Sequence, residues 1–356
     1  MAADEGATER AGGGRLRRAL RLLGQLVVVA AALYFSWLLL AGIGWQDLRQ
    51  RLAQTSPGWL VVSILLLLSR FVVWDLRWRL AFERLEEVPS ALHTFFVLLS
   101  AACVNLITPS ARVVGGLLRA RYVARVGPHS FGRVYGAVLF DQVAHQAVML
   151  IATLLAFVGM AFVLDRLVLA VAALSLLLLA AGALAWWLHR SDRQWVARAA
   201  EFFATRAARR GGNVERVFRH GREAVAVLGI LLADAPLRRL AVLFGLAYLL
   251  LNGAAQWAIF VAMGRDVGFL AVLVAVTLGF AAGAVTGTPG GLGTTEAGMI
   301  LSFVALGIGR VDAAAATLVF RGLHYLMVLA LGLPAILVFE LGGGRGSGAT
   351  PPAVEP

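Results

Sequence analysis

The sequence contains no lysine; every basic residue is arginine, and the net charge is +12. Charge as a whole is scarce. Only 15% of residues are charged, against roughly 25% in soluble domains. There is one cysteine, Cys103, which excludes an intrachain disulfide and a cysteine-based metal site. It lies in an apolar run and reads as a packing residue. The six histidines show neither HExxH nor a related spacing, so no metal and no cofactor is expected. No lone nucleophile sits beside a base, so an enzyme is the least favoured class.

What the sequence has in abundance is apolar length. It is 60% hydrophobic, with a mean hydropathy of +0.81. Several runs reach the ~18–20 residues that cross a bilayer core. The fold class is therefore an all-α polytopic membrane protein. Clear spans are read at 22–43, 58–76, 131–160, 167–188, 239–263 and 313–340. Two further blocks, 91–126 and 268–308, are each broken by Thr-Pro. The run at 22–43 follows a basic flank, as a signal peptide would, but exceeds the usual ~7–15-residue apolar core and reads as a retained helix. Residues 1–20 are expected as a basic cytoplasmic N-terminus, 21–341 as one transmembrane domain, and 342–356 as a disordered Gly/Pro-rich tail. In such a chain basicity marks cytoplasmic loops and anionic lipid rather than nucleic acid.

Arginine placement orients the spans. The N-terminal flank carries Arg10, Arg15, Arg17, Arg18 and Arg21, and segment 189–240 carries eleven arginines. Both belong in the cytoplasm by the positive-inside rule. Loops near 165, 265 and 310 each pair one Arg with one Asp and read as external. Both assignments hold only if 91–126 is a hairpin entering from inside and 268–308 a hairpin entering from outside. The legs would be roughly 24–28 Å long at 1.5 Å per residue, which leaves open whether they cross fully. The chain then has about six full spans plus two broken hairpins, or 8–10 membrane segments. Both termini are cytoplasmic. The arginine bias suggests a high-GC bacterial genome, hence a bacterial cytoplasmic membrane. The linker 189–236 is too polar to span and reads as an interfacial amphipathic helix pair.

The two broken blocks match at an offset of 180. Thr108-Pro109 aligns with Thr288-Pro289, Gly127 with Gly307, Phe140-Asp141 with Phe320-Arg321, and Val148 with Val328. Repeat halves of about 58–160 and 238–340 result. Because they enter from opposite faces, they form an inverted repeat, an arrangement common in transporters. The hairpin tips would meet near the midplane, where broken backbone is tolerated only if buried or lining a cavity.

Each tip opens a half-helix whose first amides lack helical partners. Ser110 could cap one, and Thr294 or Thr295 the other. Such positive helix ends favour anions. Arg112 and Arg119, seven residues apart on one face, read as an anion ladder. Gly115, Gly116, Gly290, Gly291 and Gly293 permit close backbone approach. Glu296 is an intramembrane carboxylate, which by default marks function. Asp141 is expected to meet Arg112 or Arg119, and Arg321 to meet Glu296. A purely structural pairing is the competing reading of each. Arg70, with Asp75, Arg77 and Arg79, reads as an interfacial anchor. His145 and Tyr325 are repeat-equivalent and read first as core residues with one hydrogen bond.

The stretches VNLITPSARVVGGLLRARYVARVG and TPGGLGTTEAGM, the latter followed by FRGLHY, resemble the membrane region of bacterial lysylphosphatidylglycerol synthases, a flippase-like family. The resemblance covers about residues 20–340. It implies movement of aminoacylated phospholipid to the outer leaflet. It carries over to Asn105, Pro109, Arg112, Gly116, Arg119, Asp141, Pro289, Gly291, Gly293, Glu296 and Arg321. The soluble aminoacyltransferase domain of the synthases has no counterpart in this sequence, so the synthase activity is not implied. The expected function is a lipid translocator for an anionic or aminoacylated phospholipid. A secondary transporter of a small anion, and a non-transporting partner of a lipid- or glycan-modifying enzyme, are the alternatives. A wide lateral opening favours lipid; a closed aqueous vestibule favours the solute.

Overall fold

The computed structural model describes residues 45–85, 88–108, 113–128, 130–189 and 213–342, with short stretches at 198–199, 201–202 and 205. The expected first span at 22–43, the basic N-terminus, most of the linker to residue 212 and nearly all of the tail lie outside the described residues. Among those described there are eleven α-helices and no strand. They are α1 (Trp45–Ala53), α2 (Pro57–Glu83), α3 (Ala91–Ile107), α4 (Val113–Val126), α5 (Phe131–Val163), α6 (Leu167–His189), α7 (Asn213–Ala233), α8 (Ala235–Ala262), α9 (Phe269–Thr286), α10 (Thr294–Ala305) and α11 (Arg310–Gly342).

Local chemistry starts and stops them. Ser90 accepts from the His93 amide to cap α3, Ser130 from Arg133 to cap α5, and Asp234 from Leu237 to cap α8. Each satisfies one amide that the first turn leaves open. Pro57 begins α2, where a missing N–H costs nothing. Gly287, at φ 63°, closes α9 in the left-handed region.

A four-helix unit occurs twice. Helix α2 (27 residues) corresponds to α8 (28), α3 (17) to α9 (18), α4 (14) to α10 (12), and α5 (33) to α11 (33). Packing repeats with them. Helices α2 and α8 lie against each other; α3 packs on α11 as α9 packs on α5, and each short helix folds back on its hairpin partner. Five helices are long and apolar enough to cross a membrane: α2, α5, α8, α9 and nearly all of α11. The first leg of the second hairpin is among them, whereas α3 is a shorter apolar helix. Helix α6 covers the expected span at 167–188.

In the linker, α7 docks on α5; most of residues 190–212, where the other helix of the expected pair falls, lie outside the described residues. Ala224, Val227 and Leu231 are buried. A Cβ placed on Gly136 would lie 2.7 Å from the Ala224 carbonyl and from Val227 Cβ, so only glycine admits this approach. Arg216, Arg219 and Arg222 remain exposed.

Burial is reversed relative to a soluble protein. Leu65, Leu150, Leu178, Leu179, Leu326 and Val338 face outward. Arg70, Arg77, Arg119, Asp141, Glu296 and Arg321 face inward. An exterior this apolar suits lipid, and intramembrane charges turn to the interior of a bundle. Ion pairs gather the helix ends into two groups. Asp312 bridges Arg51 (3.1 Å) and Arg265 (2.9 Å) at the ends read as external. Arg84 pairs with Asp234 (2.6 Å), and Arg125 with Glu340 (3.5 Å), at ends read as cytoplasmic.

Candidate functional site

Two charge centres occupy equivalent helices of the repeat. The first forms around Asp141 of α5. Its Oδ1 accepts from Arg77 Nε at 2.7 Å; its Oδ2 accepts from Arg119 Nη1 and Trp74 Nε1, both at 2.9 Å. Arg77, Arg119 and Asp141 are each 2% exposed or less. The Arg119 guanidinium lies 4.0 Å over the Trp78 ring, and its Nε and Nη2 are buried with no hydrogen-bond partner. Two guanidinium groups thus share one carboxylate, and one of them keeps donor capacity. That arrangement favours an incoming anion.

The second centre forms where α11 meets the second hairpin tip. Arg321 Nε donates to Glu296 Oε1 at 2.6 Å, and Arg321 Nη2 donates to the Gly290 carbonyl at 2.7 Å. The Tyr325 hydroxyl donates to Glu296 Oε1 at 3.1 Å and contacts Arg321. Glu296 Oε2 is buried with no hydrogen-bond partner. The tip itself is a short 3-10 turn, Pro289–Gly291. Gly290, Gly291 and Gly293 have φ of 57°, 71° and 79°, a region that a side chain disfavours. Gly290 rests on Leu106 at the end of α3: a Cβ there would lie 2.9 Å from Leu106 Cδ2 and 3.2 Å from its carbonyl oxygen. The second tip therefore touches the first hairpin.

The expected Thr294 or Thr295 cap is absent. Gly293 is the N-cap of α10 without a side-chain bond. Thr294 Oγ1 instead joins Thr286 (2.9 Å) and Thr288 (3.2 Å) and donates to the Gly291 carbonyl. In the first hairpin, Asn105 Oδ1 accepts from the Gly115 amide at 3.1 Å, stitching α3 to α4. Gly116 lets α4 close on α5, where a Cβ would meet Gln142 Nε2 at 2.9 Å. Pro109, Ser110 and Arg112 lie outside the described residues. Of the two partners expected for Asp141, the described one is Arg119.

The reading of Arg70, Asp75 and Arg77 as an interfacial anchor is overturned: all three are 4% exposed or less. Arg70 Nη1 donates to Asn252 Oδ1 at 2.5 Å, and its Nη2 lies 3.0 Å from His324 Nδ1. These residues join the two centres. His145, 3.5 Å from Arg77, sets its ring against Tyr248 at 5.1 Å. Arg70 lies 5.3 Å over the same Tyr248 ring. His324 carries the line on to Tyr325, ring to ring at 5.9 Å. Arg70 and Arg77 are about 10 Å apart along α2. Trp74, Tyr248, Asn252 and His324 were not singled out from the sequence. A signal was present: residues 70, 74, 77 and 78 share one face of a helix. So do Gly245, Tyr248 and Asn252.

The family model described as the lysylphosphatidylglycerol synthase TM region matches residues 22–332. Among similar proteins, a "UPF0104 membrane protein" of Methanothermobacter thermautotrophicus is 23% identical, covering 88% of this chain and 94% of that one. A second, of Methanocaldococcus jannaschii, is 23% identical over 90% of this chain and 96% of its own. Both organisms are archaea, so the bacterial assignment rests on arginine composition alone.

Proposed function

The chain belongs to the family of the lysylphosphatidylglycerol synthase TM region, and from that premise we propose that it translocates a phospholipid with an anionic or aminoacylated headgroup between leaflets. The observation that carries this reading is the buried seam running from Asp141 and Arg119 to Glu296 and Arg321. A bilayer protein gains little by burying so many charges. Each carries a desolvation cost of several kcal/mol that its partner must offset. Arg119, with unused donors, suits a lipid phosphate. Glu296, with an unused oxygen, suits an ammonium group such as an aminoacyl headgroup carries. A zwitterionic headgroup would find complementary partners at both ends of the seam.

The inverted repeat supports alternating access. Its two hairpins meet at Gly290 and Leu106, and Arg321 holds the tip by its backbone. Small movements at this junction would exchange the ion-pair partners. A groove between α3 and α11 is lined mainly by apolar side chains, which suits a lipid better than a water-soluble anion. No catalytic role is assigned. Among the described residues no group of three or more His, Cys, Asp or Glu could hold a metal. The reading places the chain in the cytoplasmic membrane with both termini inside.

The test is leaflet exchange in proteoliposomes, with labelled phosphatidylglycerol and an aminoacylated analogue. Wild-type protein is expected to accelerate exchange, and Glu296→Gln and Arg119→Gln to reduce it at equal reconstitution. Folded protein that moves neither lipid above background would shift the reading to a soluble anion or to partnership with a lipid- or glycan-modifying enzyme.

A further inference from the structure

Helices α3 and α11 touch closely at one level and part at another. At Gly332 a Cβ would lie 2.7 Å from the Leu99 carbonyl and 2.8 Å from Cys103 Cβ, so the helices are pressed together there. Two residues later Pro334 lies inside α11. Proline cannot donate to the Ala330 carbonyl, and its ring crowds that oxygen. Beyond it lies a groove of about 480 Å³. Phe96, Leu331 and Val338 line it, with His93 toward one end.

Charge lies next to the groove, behind Phe339. Phe339 packs its ring on His93 (5.2 Å) and on Tyr122 (4.9 Å). The Tyr122 hydroxyl donates to Glu340 Oε1 at 3.0 Å, and Glu340 Oε2 faces Arg121 at 3.4 Å and Arg125 at 3.5 Å. Both arginines are substantially exposed, and a single carboxylate answers them. His93 Nε2 is buried with no hydrogen-bond partner in the protein. An apolar slot walled by His93 and Phe339 thus lies beside two arginines, which Phe339 reaches through Tyr122 and Glu340.

The repeat supplies an internal control. The equivalent contact, α9 against α5, is filled by Ala156, Met160 and Leu278. At an offset of 180, Leu301 and Ala305 stand where Arg121 and Arg125 do. The architecture alone therefore does not create the groove, and Pro334, Arg121 and Arg125 belong to one half only.

We infer that this groove docks one acyl chain of an anionic glycerophospholipid, with its phosphate on Arg121 and Arg125. The apolar lining suits a hydrocarbon chain, and the arginines suit phosphate rather than a neutral headgroup. Glu340 is the group that the phosphate displaces. The site rests on the reading of α3, α4 and α11 as embedded in a bilayer with these arginines at the cytoplasmic side. It does not require that the lipid be moved.

The experiment uses the full chain in phosphatidylcholine nanodiscs and phosphatidylglycerol bearing a photoactivatable acyl chain. Cross-links are expected on Phe96, Leu331 and Val338. Unlabelled phosphatidylglycerol is expected to compete about tenfold better than phosphatidylcholine. Arg121→Gln with Arg125→Gln should abolish that preference while leaving the cross-linked positions unchanged. Glu340→Gln should strengthen it. Ala330→Phe, from an exposed position on the groove, should suppress labelling by either lipid. Labelling confined to other surfaces, or a headgroup preference untouched by all these substitutions, would overturn the site. Glu296→Gln is expected to lose leaflet exchange while keeping groove labelling; groove labelling in a wild type that shows no exchange would sink translocation and leave the docking site standing.

Discussion

At the scale of single residues, the two centres differ in how much charge each carboxylate offsets. Asp141 serves two guanidinium groups, Glu296 one. Neutralising Asp141 removes the one carboxylate that bonds both Arg77 and Arg119, and leaves Asp75 as the nearby negative group. Removing one partner of a buried pair costs about 3–5 kcal/mol. Glutamine at 296 still offers Arg321 and Tyr325 an acceptor. Asp141→Asn is therefore expected to lower thermal stability in detergent clearly more than Glu296→Gln, while both reduce lipid exchange. Equal unfolding temperatures for the two variants would contradict this assignment of charge. The sequence showed Asp141 and its repeat relation to Arg321. It did not show Arg77 as the second partner. A side chain beside Arg79 and Trp78 looks interfacial in one dimension; only the packing of α2 on α8 turns it inward.

At the scale of elements, the second hairpin depends on a glycine for two separable reasons. Gly290 has a positive φ and also lies against Leu106. Gly264 shares the positive φ, at 67°, with open space around its Cα. Alanine at either position incurs the backbone cost of about 1–2 kcal/mol. Only at 290 does it also push the hairpins apart. Gly290→Ala is expected to impair exchange beyond its effect on stability, and Gly264→Ala is not. Helix α8 offers a simpler case. Burial works against the charge of Asp234, but the Leu237 amide and Arg84 outweigh it and hold the carboxyl below the usual range. Its contribution is complete above the ordinary carboxylate pKa and fades as pH falls through the lower folded value. Asp234→Ala should cost about 1 kcal/mol near neutral pH, and the difference from wild type should vanish in acid. Helix existence was legible from apolar runs, and the breaks from Thr-Pro. The docking of α7 on α5 was not. Gly132 and Gly136 look like ordinary small residues until a second helix is known to need their space.

For the whole molecule, the question is whether the two four-helix units face opposite ways. Repeated packing alone does not fix this, since a parallel repeat could also place α2 beside α8. The ion pairs bear on it. Asp312 draws together Arg51 and Arg265, whereas Arg84 meets Asp234, so the loop after α2 and the loop after α8 are held by different sets of helix ends. The positive-inside rule predicts the first to be cytoplasmic and the second external. Val88 and Asp266 occupy these loops, are exposed, and are near-equivalent in the repeat. The sole cysteine is buried in α3, so a Cys103→Ser background gives a clean readout. Val88→Cys is expected to react with a membrane-impermeant maleimide only in inside-out vesicles, and Asp266→Cys only in intact cells or right-side-out vesicles. Labelling of both from one side would make the repeat parallel. The hairpins would then enter from the same face, and the junction between Gly290 and Leu106 could not serve as a gate between two sides.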